Sequence, residues 1–285
     1  MIVVTGATGK LGSAIVRHLL NRISASEVVV SVRNPDATKD FVAKGLTVRR
    51  GDYDDPDSLF KAFAGADQLL LVSASGIAFQ SRVSKHRTAI DAAKHAGVGH
   101  VYYTSLLPGD DSVAYVQKAH TATEHCLKES GIQYTILRDG AYAEAWDLYL
   151  GDVSGGVASV PADGPVSWVS RDDLGEGIAE LLYRGDQDGQ TLDLTGPAAL
   201  TLEQTAATIG GVRGHPIAFR IVPYGEFINL EVAQGKSKEQ DERWATTYQG
   251  LTRGEFGKVS PALGDVLGRP RRTFQEVASE TPQAS

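Results

Sequence analysis

The chain opens Met1-Ile2-Val3-Val4-Thr5-Gly6-Ala7-Thr8-Gly9-Lys10-Leu11-Gly12, and the fold is decided there. The apolar run Ile2, Val3, Val4 stands directly ahead of three glycines placed three residues apart. Leu11, Ala14, Ile15, His18 and Leu19 then follow at helical spacing. The pattern predicts a buried strand, a tight turn and a helix. Glycine at these positions permits the turn and a close backbone approach, and the helix N-terminus offers free N–H groups and a partial positive charge. Gly6, Ala7, Thr8, Gly9, Lys10, Leu11 and Gly12 are therefore candidate contacts to a dinucleotide pyrophosphate. The glycine spacing alone would also suit a structural turn; the strand before it and the helix after it favour the ligand loop.

Working outward, strand-like runs recur at residues 2–5, 28–32, 46–50, 68–72, 100–105 and 134–137, separated by helical patterns. This alternation predicts a parallel sheet with crossover helices. Pro35 and Pro56 sit where a first helical turn accepts proline, and Asp55 is placed to cap the second of these helices. Past residue 140 the rhythm loosens: residues 151–164 are rich in glycine and small residues, and the polar stretch 224–254 suggests a helical lid. The expectation is an α/β fold, a Rossmann doubly wound parallel sheet with a smaller, mostly helical C-terminal lobe. Residues 1–140 form the dinucleotide-binding domain and 141–285 the substrate lobe, with one strand and one helix near 171–195 returning to the sheet. Ser279 to Ser285 are expected to fray.

The composition narrows the function. With 285 residues and 42% hydrophobic content the chain can bury a substantial core. One cysteine, Cys126, excludes an internal disulfide, and no Cys or His cluster has metal-site spacing, so no metal is expected. A net charge of −7 opposes general affinity for nucleic acid or anionic membranes. The short basic run Arg269-Pro270-Arg271-Arg272 reads as a solvated turn. The first strand begins at residue 2 and no apolar stretch approaches a membrane span, so a cytoplasmic protein is expected.

The end of the second strand indicates which dinucleotide. NAD sites place a carboxylate there for the ribose 2′-hydroxyl; this chain has Arg33, followed by Asn34-Pro35. A guanidinium fork suits a 2′-phosphate, which favours NADP(H). The alternative is a surface arginine paired with Asp36 or Asp40. After the third strand, Asp52 and Tyr53 are placed to border an adenine, although Asp52 equally suits a helix cap. After the fourth, Ser73, Ala74 and Ser75 are small enough to admit a ribose or phosphate, or form an ordinary loop.

The motifs GATGKLG (6–12), VRNP (32–35), GDYDDPDSLFKAFAG (51–65), YTSLL (103–107), HTATE (120–124), YTILRDGAY (134–142), VSRDDL (169–174) and LGRPRRTFQEVAS (267–279) resemble the NmrA-like branch of the atypical short-chain dehydrogenases. Within that branch the likeness is strongest to type 2 quinone oxidoreductases and triphenylmethane reductases. The resemblance implies NADP(H), a Rossmann domain and a variable substrate lobe. It also covers members that sense the cofactor and catalyse little.

The Tyr-x-x-x-Lys dyad by which short-chain dehydrogenases transfer protons is absent. Tyr115-Val-Gln-Lys118 is one residue too short, and the family's lysine and tyrosine registers hold His120 and Val116. His120 is a candidate ribose contact and proton donor, or a satisfied helix histidine. Ser105 occupies the family's substrate-polarising serine position, or is a strand-end hydroxyl. Leu137, Arg138, Asp139 and Gly140 leave the sixth strand and are expected to border the nicotinamide, with Tyr142 as a second catalytic candidate. Relatives carry Asn at the position of Asp139, and often near Ala145. Tyr142, Trp146, Tyr149 and Trp168 form either an aromatic wall for a planar ring or part of the core.

Without the dyad, reduction of a conjugated acceptor is favoured over alcohol chemistry, because its product is a weak base and water can supply the proton. The expected function is NADPH-dependent hydride transfer to a quinone-like or conjugated aromatic small molecule by a monomer or homodimer. The alternative is an NADP(H)-binding redox sensor.

Overall fold

Runs of valine, isoleucine and leucine that are apolar throughout, not alternating with polar residues, belong to strands covered on both faces. In the computed structural model, which describes residues 1–76, 78–235 and 237–280, such residues dominate β1 (Ile2–Thr5), β2 (Val28–Val32) and β4 (Gln68–Leu71), while mixed sequences form the half-exposed edge strand β3 (Thr47–Arg50) and the strands β5 (His100–Leu106) and β6 (Gln133–Asp139). Two short strands follow, β7 (Val157–Val160) and β8 (Pro165–Val166), and then β9 (Gln190–Leu194). The central sheet has seven strands in the order β3-β2-β1-β4-β5-β6-β9. β1 pairs in parallel with β2 and β4, β2 with β3, and β4 with β5. Strand order therefore reverses between β1 and β4, the switch point at which open α/β sheets bind their ligands.

The connecting helices are α1 (Lys10–Leu19), α2 (Lys39–Ala43), α3 (Pro56–Phe63), α4 (Phe79–His95), α5 (Tyr115–Glu129), the short α6 (Asp147–Leu150) and α7 (Arg171–Arg184). α3 begins as its sequence dictates: Pro56 occupies the first turn and the Asp55 carboxylate accepts the Ser58 N–H at 3.1 Å. The helix expected at Pro35 is instead a single 3₁₀ turn, Pro35–Ala37, capped by Asn34, before the five-residue α2.

The chain divides into two compact units. The first comprises Met1–Ser105, Ala119–Arg138 and Arg171–Leu192, and the second Leu106–Lys118, Asp139–Ser170 and Asp193–Ser285. In the first unit, Val3, Val29, Leu69, Leu71, Val101 and Tyr103 of the sheet bury against Leu59 and Phe63 of α3 and Ala89 and Ala93 of α4. α1 and α7 pack together, with Arg17 and His18 both on Asp172 and Arg22 on Glu180 at 3.2 Å.

In the second unit, β7 pairs in parallel with β11 (Ala218–Ile221) and β8 antiparallel with β10 (Leu200–Thr201). Around them lie α8 (Leu202–Arg213), α9 (Tyr224–Ala233), α10 (Lys238–Thr252), α11 (Ala262–Leu267) and α12 (Phe274–Glu280). The polar stretch 224–254 thus forms two helices. The basic run is not simply a solvated turn: the Arg271 guanidinium donates to the carbonyls of Thr195, Gly196 and Ser260, satisfying backbone acceptors that have no strand partner. Of the tail expected to fray, Ser279 and Glu280 belong to α12; residues 281–285 lie outside the described residues. Among the described residues no helix is long and apolar enough to cross a membrane, and no cluster of His, Cys, Asp or Glu could hold a metal ion.

Candidate functional site

The turn between β1 and α1 is closed by its own backbone. Gly9 N–H donates to Gly6 O and Ser13 N–H to Gly9 O, each at 2.9 Å. Gly6 has φ of +61°, a conformation that other residues adopt only with strain, and a Cβ on Gly12 would lie 2.2 Å from the Gly6 carbonyl oxygen. α1 has no side-chain cap at Gly9 and no acidic residue in its first turn. Its first N–H groups therefore carry the helix's partial positive charge with no acidic side chain in the helix's own first turn to neutralise it.

A cleft of about 270 Å³ opens beside this turn, at the carboxyl ends of β1 to β4. Thr5, Gly6, Thr8 and Gly9 line one side, and Ser31 and Arg33 of the β2 end another. Gly51, Asp52 and Tyr53 follow β3, and Val72, Ser73, Ala74 and Ser75 follow β4. Arg33 is exposed and makes no ion pair among the described residues, so neither Asp36 nor Asp40 holds it. Ser31 Oγ is buried without a hydrogen-bond partner. An uncapped helix end, an uncommitted guanidinium and an orphaned hydroxyl in one cleft fit a phosphorylated dinucleotide, the donor set that NADP(H) requires.

Asp52 does not cap α3, because Asp55 does. The Asp52 carboxylate instead accepts the Asp54 N–H at 3.1 Å, and its own N–H donates to Ser58 Oγ at 2.9 Å. The Tyr53 hydroxyl lies 2.7 Å from both Thr5 Oγ1 and Val72 O, with its single proton shared between the two, so the phenol is anchored by its oxygen. Thr5, Ser31, Val72 and Lys85 of α4 line the cleft but went unpredicted. A buried strand-end Thr or Ser has no distinguishing local pattern, and Lys85, paired with Asp54 at 3.0 Å, arrives from a later helix.

A buried polar network underlies the loop after β4. Ser73 N–H donates to Thr104 Oγ1 at 2.9 Å and Ala74 N–H to His86 Nε2 at 2.8 Å. His86 Nδ1 in turn donates to Thr123 Oγ1 at 2.8 Å. Burial, reinforced by the Arg82 guanidinium, lowers the His86 pKa to about 3. His120 Nε2 lies 2.7 Å from Arg82, and Nδ1 lies 3.0 Å from the Tyr103 hydroxyl. A guanidinium only donates, so Nε2 accepts and the single ring proton sits on Nδ1. Burial first, then Arg82 and His86, holds the imidazole neutral with its pKa well below the usual range. Both nitrogens of His120 are thus engaged by protein, and in this arrangement the proton donation and ribose contact expected of it have no atom to act through.

Ser105, Leu137 and Arg138 also have other partners. Ser105 Oγ donates to Glu124 Oε1 at 2.6 Å, and Arg138 grips the same buried carboxylate with Nε at 2.9 Å and its terminal nitrogen at 2.6 Å. Leu137 is wholly buried. In the second unit, Gly140 N–H donates to Leu194 O at 2.9 Å, and the Tyr142 hydroxyl donates to Asp139 Oδ2 at 3.1 Å. Asp139 is 1% exposed, and burial, only partly offset by the Tyr142 hydrogen bond, raises its pKa to about 8. Of the four aromatics read as either wall or core, Trp146, Tyr149 and Trp168 are buried. Trp168 donates to Thr205 at 2.9 Å and meets the edge of Tyr149 at 5.0 Å, so these rings build the core of the unit.

Comparison with known proteins follows this geometry. Residues 6–184 match the NAD(P)H-binding family model. The chain is similar to Quinone oxidoreductase 2 of Escherichia coli (strain K12), at 33% identity over 291 residues and 98% of each chain. It is also similar to an NmrA-like family domain-containing oxidoreductase of Aspergillus flavus, at 31% identity, covering 97% of this chain and 94% of the other. The crystal structure of the Citrobacter sp. triphenylmethane reductase complexed with NADP(H) superposes with a TM-score of 0.90 at 30% identity, covering 99% of this chain and 100% of the other.

Proposed function

The chain belongs to the NAD(P)H-binding, NmrA-like family, and from that premise we propose that it is an NADPH-dependent oxidoreductase delivering hydride to a quinone-like or otherwise conjugated aromatic acceptor. The observation that carries this reading is Arg33, exposed and without an ion pair beside the uncapped α1 N-terminus. The relatives support the acceptor class: one is named a quinone oxidoreductase and another a triphenylmethane reductase.

Within this reading the Gly6–Gly12 turn and the first N–H groups of α1 bind the pyrophosphate, and Arg33 binds the 2′-phosphate. The Tyr53 ring and Asp52 border the adenine, and Ser73 to Ser75 border a ribose. His86 and Thr104 act as positioning residues, holding that loop by its N–H groups. When bound, NADPH supplies the hydride; the protein's task is to orient donor and acceptor and exclude water.

The chain has no Tyr-x-x-x-Lys, and His120 is neutral with both nitrogens occupied. Both facts favour an acceptor whose reduced form is delocalised and weakly basic. The test is to mix the purified protein with NADPH or NADH and a panel of quinones and follow the reduced-nicotinamide absorbance. Turnover with NADPH above the buffer control supports the proposal. Tight NADPH binding without turnover on any acceptor would instead make the protein a cofactor sensor.

A further inference from the structure

We propose that Lys85 selects the base of the dinucleotide, its ammonium donating to adenine N1 beside the 6-amino group, whose N–H the Asp52 carboxylate accepts. This rests on the cofactor-binding half of the reading above, not on the hydride acceptor, and names the residue that tells adenine from another purine.

Three charged side chains line the cleft: Arg33, Asp52 and Lys85. Arg33 follows β2. Lys85 comes from α4 and is tied to the loop after β3: its Nζ lies 3.0 Å from Asp54 Oδ2, and the Asp54 N–H donates to Asp52 Oδ1 at 3.1 Å. A carboxylate acceptor and an ammonium donor are thus joined through one residue, at the corner where Asp52 and Tyr53 border the adenine. Every group in this corner belongs to the first compact unit.

The root of Lys85 is fixed. Its neighbour on α4, His86, is buried, accepts the Ala74 N–H at 2.8 Å and donates to Thr123 Oγ1 at 2.8 Å. The His86 ring also meets the Tyr53 ring edge-on at 6.4 Å, so helix, loop and phenol are set against one another. The Lys85 side chain is 30% exposed, against 67% for Asp54, so the lysine borders the cleft while its partner faces solvent. An ammonium carries three N–H donors and no acceptor, and Asp54 takes one of them.

The charges in this corner oppose a phosphate. Two carboxylates, Asp52 and Asp54, accompany one ammonium, and a further anion would be repelled. A neutral base is not repelled, and the adenine edge carries the complementary order: an amino donor at C6 beside a ring acceptor at N1. Hypoxanthine reverses both, with a carbonyl at C6 and an N–H at N1. Its carbonyl would face the Asp52 carboxylate and its N1–H the Lys85 ammonium. A site built for one donor–acceptor order rejects the reversed order, because its own polar groups are left unpaired.

The test is fluorescence titration of the full-length protein with NADPH, NADH and deamino-NADPH, in which hypoxanthine replaces adenine. Wild type should bind deamino-NADPH at least about tenfold more weakly than NADPH. Equal affinities for the two would overturn the proposal. Lys85→Met keeps the stem and removes the ammonium. It should weaken NADPH and NADH alike by about tenfold and leave deamino-NADPH at its wild-type affinity, which also shows that the variant is folded. Equal losses for NADPH and deamino-NADPH would overturn the proposal and move Lys85 off the base. So would a loss with NADPH but not with NADH, which assigns it to the 2′-phosphate, or no loss at all, which leaves the Asp54 pair a surface contact. If the wild type binds neither NADPH nor NADH, the cofactor reading itself fails and takes the proposal with it.

Discussion

His86 Nε2 accepts the backbone N–H of Ala74 at 2.8 Å, so a buried histidine of α4 holds the loop that follows β4. His86→Leu removes the acceptor and leaves a partly buried N–H unsatisfied, a loss of about 1–3 kcal/mol. Urea denaturation should show that loss, and fluorescence titration should show weaker NADPH binding. Unchanged affinity would mean that the loop is held by other means. The pH dependence has a definite sign. The unfolded histidine takes up a proton below about 6.5, the native one only near 3, so stability falls as pH drops through that window by about 1.4 kcal/mol per unit. The variant should lack that component.

Arg33 makes no ion pair among the described residues, so its removal should cost little stability. Hydrogen bonds to charged groups contribute about 1.5–3 kcal/mol, so Arg33→Ala should weaken NADPH about ten- to a hundredfold and leave NADH nearly unchanged. Equal losses for the two cofactors, measured by titration, would remove Arg33 from the 2′-phosphate.

A Cβ at Gly12 would sit 2.2 Å from backbone at Gly6, whereas Gly211 in α8 has nothing within 4 Å of the same point. Gly12→Ala should therefore lower Tm and abolish cofactor binding by pushing α1 off the turn. Gly211→Ala should raise stability by about 0.5–1 kcal/mol through helix propensity alone. Paired melting curves of the two variants check both signs.

Arg138 and Ser105 converge on the buried Glu124, so Arg138→Met removes its bidentate counter-charge and leaves the carboxylate with the more distant Lys128 ammonium at 4.0 Å. Breaking a buried pair from one side costs about 3–5 kcal/mol. The loss should appear in chemical denaturation, and a second change, Glu124→Gln, should recover part of it. A destabilisation below about 1 kcal/mol would show the pair to be effectively solvated.

Asp139 should make the protein less stable as pH rises. Native Asp139 holds its proton up to about 8, whereas the unfolded residue releases it near 4, so stability is lost progressively between those values. Asp139→Asn removes that dependence. Its stability relative to wild type should therefore grow from about pH 4 to 8, reaching on the order of several kcal/mol, as followed by thermal melts across pH. A constant difference would mean the acid is not held neutral.

Much of the candidate cofactor cleft was legible in the sequence because it is local. Gly6, Gly9 and Gly12 act within one turn, Arg33 follows its strand directly, and Asp55-Pro56 writes its own helix start. The alternation of strand-like and helical runs likewise placed the strands of the doubly wound sheet, with ends that moved by only a residue or two at β3, β4, β5 and β6. His120, Ser105 and Arg138 were less legible. Motif position brought them to the right strands and helices, but their partners, Arg82, Tyr103 and Glu124, lie 14 to 38 residues away.

The sequence by itself determined the alternation of strands and helices, the glycine turn and the positive charge after β2, since each depends on neighbours within a few residues. Only the tertiary structure decided the protonation of His86, His120 and Asp139, and which of Arg33, Arg138 and Arg271 stays uncommitted. A side chain's charge state and availability depend on burial and on groups brought from distant segments, and spacing along the chain does not encode either.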